Sequence, residues 1–138
     1  MMPSVDVQKA IRARLVGASA VVSLVPAANI LDRHKRPAPY PAIILGEGQA
    51  VDEGSDVGRL RVRVYSELHI WTLEPSFELA ATVAGKVHSA LFAPRLALSA
   101  PFHCADCKVS SARFLRDPSG DVAHVVLTVE TLVHGVAT

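Results

Sequence analysis

Residues 59–71 carry the clearest strand signal in the sequence, because apolar and polar side chains alternate along them. In a β-strand, successive side chains point to opposite faces of the sheet, so this alternation predicts a strand with one buried face. The opposite face carries arginines, aromatic residues and a histidine, and we expect it to meet solvent or a partner. The apolar side chains that we expect to face a core are Leu60, Val62, Val64, Leu68 and Ile70.

The last third of the sequence predicts a β-hairpin. Its arms are residues 109–116 and 122–134, and the turn between them is Asp-Pro-Ser-Gly at 117–120. Proline suits the second position of such a turn, and glycine suits a position where φ is positive. The second arm alternates like the 59–71 strand, so one of its faces is expected to pack on helices.

Two further strands and two helices are predicted. Residues 42–51 form a strand in which the glycines at 46 and 48 mark a bulge or an edge, and residues 30–33 form a short strand. Residues 4–17 form an amphipathic helix with apolar side chains at every fourth position. A second helix opens at Pro75 and runs to about residue 92.

Together these elements predict an α+β fold. We expect a mainly antiparallel sheet of about four or five strands, with the two main helices packed on one of its faces. The length of 138 residues fits a single domain, residues 1–138.

The composition favours assembly with other subunits. Apolar residues make up 50% of the chain and aromatic residues only 5%, so the core must be aliphatic, and such a surplus often forms a subunit interface. A net charge of +1 argues against a chain whose main task is to neutralise phosphates. Basic residues before the apolar stretch 15–28 imitate a secretory signal, but the helical spacing favours an ordinary helix, and no membrane span is expected.

No group of residues predicts a catalytic or metal site. Cys104 and Cys107 form a Cys-x-x-Cys pair, but the sequence has no second pair, and this one precedes a strand rather than opening a helix. The histidines stand near no nucleophile motif, and there is no glycine-rich phosphate loop. The acidic residues near 52–56 match no calcium-loop pattern. We therefore expect no enzyme activity, no cofactor and no bound metal.

Two features indicate surfaces for contact instead. The polar face of the 59–71 strand combines arginines with aromatic side chains, which suits nucleic acid and also suits a protein interface. The nearly neutral chain favours the protein interface. The loop 52–58 is polar and rich in glycine, which is typical of a mobile connection. The candidate interaction residues are Arg59, Arg61, Arg63, Tyr65, His69, Trp71, Asp52, Glu53 and Asp56.

The order of segments along the chain resembles that of a known family. These segments are VQKAIRARL at 7–15, ILDR at 30–33, PYPAIILGE at 39–47, HIW at 69–71, RFLRDPSG at 113–120 and HVVL at 124–127. In this order the chain resembles the tail-terminator, or tail-completion, family of long-tailed phages and of phage-like gene transfer agents. The resemblance covers nearly the whole length.

The resemblance implies a structural role in a particle. Such a protein is a subunit of a ring, commonly a hexamer, that caps the head-proximal end of the tail tube, halts its growth and offers a surface for head attachment. Its implied partners are copies of itself, the tail tube protein and a head-completion (stopper) protein, while DNA only passes through and no membrane is involved. The implied location is the virion or phage-like particle, after synthesis in the bacterial cytoplasm.

Two alternatives stay open. One is another neck or connector ring protein of the same particle. The other belongs to a different class: a small nucleic-acid-binding module that uses the 59–71 strand.

Overall fold

The computed structural model describes residues 2–32, 39–53, 60–92 and 94–135. Within them the chain forms three α-helices, one turn of 3₁₀ helix at Ala27–Asn29 and five β-strands. The helices are α1 (Ser4–Val16), α2 (Ser19–Val22) and α3 (Glu78–Phe92), and the strands are β1 (Ile30–Leu31), β2 (Ala42–Asp52), β3 (Arg61–Leu73), β4 (Phe102–Arg116) and β5 (Val122–Gly135).

These strands join one sheet in the order β1-β2-β3-β5-β4. β1 runs parallel to β2, and the other neighbouring pairs are antiparallel. β4 and β5 form the predicted hairpin, and Gly120 in its turn has a φ of 78°, which glycine adopts without strain. The predicted α+β fold with a mainly antiparallel sheet is confirmed.

The helices α1 and α3 cover one face of the sheet, where they enclose the hydrophobic core. The predicted stripe of α1 (Val7, Ile11 and Leu15) is fully buried. In α3, Ala80 and Ala84 are buried, and their short side chains let the helix lie close to the strands. The side chains that β3 contributes to this core are Val62, Val64, Leu68 and Ile70, as the alternation predicts.

The predicted bulge in β2 is confirmed. The register of β2 against β3 shifts between Leu45 and Gly48. A Cβ atom on Gly48 would lie 2.7 Å from the backbone oxygen of Tyr65, so the bulge brings two backbones closer than any other residue type permits. β1 pairs with β2 only at Ile43 and Ile44, before the bulge.

The first arm of the hairpin is longer than predicted. β4 begins at Phe102, whereas the alternation indicated a start at Val109. The reason is a pair of irregularities in the register with β5, one between Cys104 and Asp106 and one between Val109 and Ser111. Each bulge inserts a residue and interrupts the alternation on which the prediction rests. The Cys-x-x-Cys pair therefore lies inside a strand and not before one.

The second helix begins at Glu78 instead of at Pro75. The carboxylate of Glu74 accepts hydrogen bonds from the backbone N–H groups of Leu79 at 2.9 Å and Ala80 at 3.0 Å. It also accepts a 2.5 Å bond from the hydroxyl of Thr72, a side chain with no exposed surface. A glutamate that precedes the helix thus satisfies its first free amides, which is the role more often taken by a shorter capping side chain.

Candidate interaction surface

The second face of the sheet carries the polar side chains of β3 and β5. We call it the open face, because α1 and α3 pack on the opposite face. Alternation along β3 places five of the predicted interaction residues on the open face, and each is exposed or half-buried. They are Arg61, Arg63, Tyr65, His69 and Trp71.

Two of the remaining predicted residues, Asp52 and Glu53, lie where β2 leads into the loop 52–58. Asp52 ends β2 and Glu53 follows it, and both are exposed. The carboxylate of Glu53 reaches β3, where it pairs with Arg63. Arg59 and Asp56 lie outside the described residues.

Arg63 is held by two carboxylates. Its Nε donates to one oxygen of Glu53 at 2.6 Å and its Nη2 donates to the other at 3.0 Å. A carboxylate oxygen of Glu130 on β5 lies 3.7 Å from Nη1. The hydrogen bond from Arg63 holds the pKa of Glu53 below its usual value. These two carboxylates neutralise Arg63, so it offers little free positive charge to a phosphate, which weakens the nucleic-acid hypothesis.

Three rings form a stack on the open face, which we call the histidine stack (Trp71, His124 and His69). Trp71 and His124 stand opposite each other on β3 and β5, and their rings are parallel with centroids 3.7 Å apart. Nδ1 of His69 lies 2.8 Å from Nε2 of His124, so the two histidines share one hydrogen bond. Nε2 of His69 lies 3.5 Å from a carboxylate oxygen of Glu67.

The sequence predictions missed His124. The alternation along the second hairpin arm predicts that His124 faces away from the helices. Only the register between β3 and β5 brings it opposite Trp71. Aromatic residues in directly opposed positions of two strands are the one signal that points to such a stack, and it appears only after the strand pairing is known.

A depression of about 600 Å³ lies beside the histidine stack. It opens between β2 and β3, where a Cβ atom on Gly46 would lie 2.8 Å from the ring of His69. The glycine therefore leaves room for the histidine ring over β2. The depression is lined by Ile44, Leu45, Gly46, Glu47, Glu67, His69, Trp71 and His124.

Partial burial lowers the pKa of His124 from its ordinary value of 6.5 to about 4, and the neighbouring His69 and Arg113 add to this effect. At neutral pH the ring is therefore uncharged. One nitrogen of a neutral imidazole donates and the other accepts, so an uncharged His124 can serve as donor or acceptor in the 2.8 Å contact with His69.

We expect the free energy of unfolding to fall as the pH is lowered from 6.5 toward 4, because the unfolded chain binds a proton at His124 in this range and the folded chain does not. The full shift corresponds to about 3 kcal/mol, but the ring is partly exposed and solvent screens it, so we expect about 1 kcal/mol. Urea denaturation across this pH range measures the effect.

The matched control for this prediction is an exposed histidine. His124→Gln should flatten the dependence of stability on pH, while His88→Gln, on the exposed side of α3, should leave it unchanged. Equal pH slopes in the parent protein and in His124→Gln would contradict the prediction.

The cysteine pair lies in surroundings that disfavour a reactive thiolate. Cys104 and Cys107 are both buried, and burial raises the pKa of each thiol. A raised thiol pKa leaves little of the nucleophilic thiolate. Within the described residues, no three histidine, cysteine or carboxylate side chains are grouped so that they could hold a metal ion. In the same part of the chain, no helix is long and apolar enough to cross a membrane.

The family model described as tail completion protein gp17 matches residues 9–134. The chain belongs to this family. A tail completion protein has a structural role in a phage tail, and its place is the virion.

Two solved structures share the tail completion fold. A chain of the structure described as "Virion of native gene transfer agent (GTA) particle" gives a TM-score of 0.82 at 22% identity, covering 94% of this chain and 96% of that chain. The structure described as "Structure of bacteriophage SPP1 gp17 protein" gives a TM-score of 0.62 at 18% identity, covering 100% of this chain and 94% of that chain. No curated protein matches the chain.

Proposed function

We propose that this tail completion protein is a single-domain subunit of a ring, with six copies as the expected number. The ring caps the head-proximal end of the tail tube, stops its growth and presents the surface to which the head is joined. The observation that carries the proposal is the similarity to a chain of a gene transfer agent particle, which extends over 94% of this chain and 96% of the other. The match over nearly the whole length of both chains supports the proposal that the chain acts as one subunit.

The open face supports a role in contact with other proteins. It presents arginine, tyrosine, histidine and tryptophan side chains, and arginine, tyrosine and tryptophan are enriched where proteins bind one another. We propose that the predicted residues act there: Arg61, Arg63, Tyr65, His69 and Trp71 on β3, Asp52 and Glu53 at the end of β2, and Arg59 and Asp56 in the connection between these strands.

The charges of the open face fit a protein partner better than DNA. Arg63 is paired with Glu53 and Glu130, and Arg113 lies 3.9 Å from a carboxylate oxygen of Glu67. A surface that holds nucleic acid carries an excess of positive charge to displace counterions from phosphates. DNA would pass such a subunit as cargo, and the role needs neither catalysis nor a cofactor.

The test is made on tail tubes. Tube protein is allowed to polymerise with and without this protein, and tube length and the ends of tubes are observed by electron microscopy. We expect the protein to form rings at one end of each tube and to stop elongation there. Binding along the sides of tubes, or tubes that continue to grow past the ring, would count against the proposal.

A matched pair of variants links the test to the open face. Trp71→Glu places a charge in the histidine stack and should reduce tube capping at least tenfold. Phe92→Glu changes an aromatic residue that is 77% exposed at the end of α3 and should cap tubes like the parent protein. Thermal unfolding of both variants separates lost contact from lost folding. If both folded variants cap tubes equally well, the open face does not take part in capping.

A further inference from the structure

Among the described residues, neither edge of the sheet has a strand partner along most of its length. β4 is the last strand of the sheet and pairs only with β5 among the described residues. At the other side, β1 covers β2 only at Ile43 and Ile44, so residues 46–52 of β2 have a described neighbour on one side alone. Unpaired N–H and C=O groups along an edge are a template for pairing with another chain.

Soluble proteins usually block such an edge with a proline, a bulge or a very short strand. β4 has bulges near Cys104 and Val109, but residues 111–116 then pair with β5 in regular register. They contain no proline, and every one of them is exposed. The part of β2 that follows its own bulge, residues 48–52, is equally regular and also lacks proline.

The exposed part of β4 is held in place from the side of the helices. The ring of Phe114 meets the ring of Phe77 edge-on, with centroids 5.6 Å apart. The guanidinium carbon of Arg116 lies 5.2 Å from the centroid of the Phe77 ring, and Nη1 of Arg116 donates to the backbone oxygen of Pro75 at 3.4 Å. An edge that is already ordered loses little conformational freedom when a partner strand binds.

The two edges carry opposite charges. Residues 108–116 of β4 have three cations, Lys108, Arg113 and Arg116, and no anion, while the exposed Asp106 lies before them on the same strand. The edge formed by β2 has the anions Glu47 and Asp52, while the carboxylate of Glu53 beyond them is already paired with Arg63. Each edge would be repelled by a second copy of itself, and each is attracted to the other edge of a neighbouring copy.

The strand directions fit the same pairing. Because β4, β5, β3 and β2 are successively antiparallel, β4 runs opposite to β2. When a second copy is rotated about an axis that lies along the strands, its β2 comes to lie antiparallel to β4 of the first copy. Contact between two different surfaces, repeated by rotation, gives a ring when the rotation returns to the first copy and an open filament when it does not.

We propose that β4 of one copy pairs antiparallel with residues 46–52 of β2 in the next copy, so that the sheets of neighbouring subunits continue into one another. This proposal rests on the ring proposed above, since it specifies the contact by which the ring closes. The contact uses backbone hydrogen bonds for affinity and the opposite charges of the two edges for direction.

Photo-crosslinking tests the contact. A benzophenone amino acid replaces Ala112 on β4, the protein is assembled at tube ends, and the crosslinked peptides are identified by mass spectrometry. We expect crosslinks to residues 46–52. Within one chain, β4 and β2 are separated by three strand spacings of about 4.8 Å each, which is beyond the reach of the probe, so such a crosslink joins two copies.

A reciprocal probe and a control complete the experiment. The same probe at Gln49, which is exposed on β2, should crosslink to residues 108–116 of another copy, whereas a probe at the exposed Ser89 on α3 should not reach either edge. If rings are seen and neither edge probe captures the opposite edge, the edge pairing is wrong while the ring stands. If the protein forms no ring at tube ends, both proposals fail.

Discussion

Replacing Glu74 with alanine is expected to lower the free energy of unfolding by about 3 kcal/mol. The carboxylate accepts hydrogen bonds from the amides of Leu79 and Ala80 at the start of α3. The substitution removes these two hydrogen bonds and with them the helix cap. The carboxylate also bonds the hydroxyl of Thr72, which is completely buried and would be left without its acceptor. Urea denaturation of Glu74→Ala measures the difference.

Glu78→Ala is the matched control, because Glu78 is an exposed glutamate in the first turn of the same helix. We expect its substitution to cost about 0.5 kcal/mol, the usual contribution of an acidic side chain near a helix N-terminus. A cost for Glu74→Ala that is no larger than that of Glu78→Ala would show that the cap is not needed.

Because of Glu74, we expect the free energy of unfolding to depend on pH in a second, more acidic range. Burial opposes the ionisation of Glu74, but hydrogen bonds from Thr72, Leu79 and Ala80 outweigh it and hold the pKa below the ordinary 4.5. The stabilisation is therefore fully present above 4.5 and is lost as the pH falls through the folded pKa. The loss due to Glu74 begins near pH 4.5, whereas the loss due to His124 begins near pH 6.5, so the upper part of the range reports on His124 alone.

Substituting alanine at two glycines is expected to have effects of opposite sign. Gly48→Ala should destabilise the protein by about 2 kcal/mol, because the added methyl group meets backbone that cannot move as a flexible side chain could. The new Cβ atom would lie 2.7 Å from the backbone oxygen of Tyr65. Gly85→Ala, in the exposed middle of α3, has no atom within 4 Å of the new methyl group and should stabilise the helix by about 1 kcal/mol.

Chemical denaturation of both variants tests this pair. The opposite signs make the comparison robust, since an error common to both measurements would shift them in the same direction. A neutral Gly48→Ala variant would mean that β2 can move away from β3 at the bulge, and the regular edge at residues 48–52 would then lose its structural basis.

Local patterns in the sequence are sufficient to predict most of the helices and strands. Alternation along β3 and β5 and the stripe of Val7, Ile11 and Leu15 each depend on residues near one another in the chain, and each was predicted correctly. The glycines of β2 marked its bulge for the same reason. The tail completion resemblance also followed from the order of these local segments.

Features that depend on register could not be predicted. The histidine stack requires β5 to lie beside β3 with Trp71 opposite His124, and the hairpin places β4 on the outside of β5. No short-range pattern determines which strand of the hairpin, β4 or β5, pairs with β3. The early part of β4 was missed because its bulges hide the period of two that identifies a strand.

Trp71 is the only tryptophan of the chain. It lies on the open face, parallel to a histidine ring and away from the aliphatic core. Its fluorescence therefore reports on that face alone and carries no background from the interior. Binding of a neighbouring subunit or a tube end over the open face would change the emission of a single, known residue, which gives the assembly of this protein an intrinsic optical label.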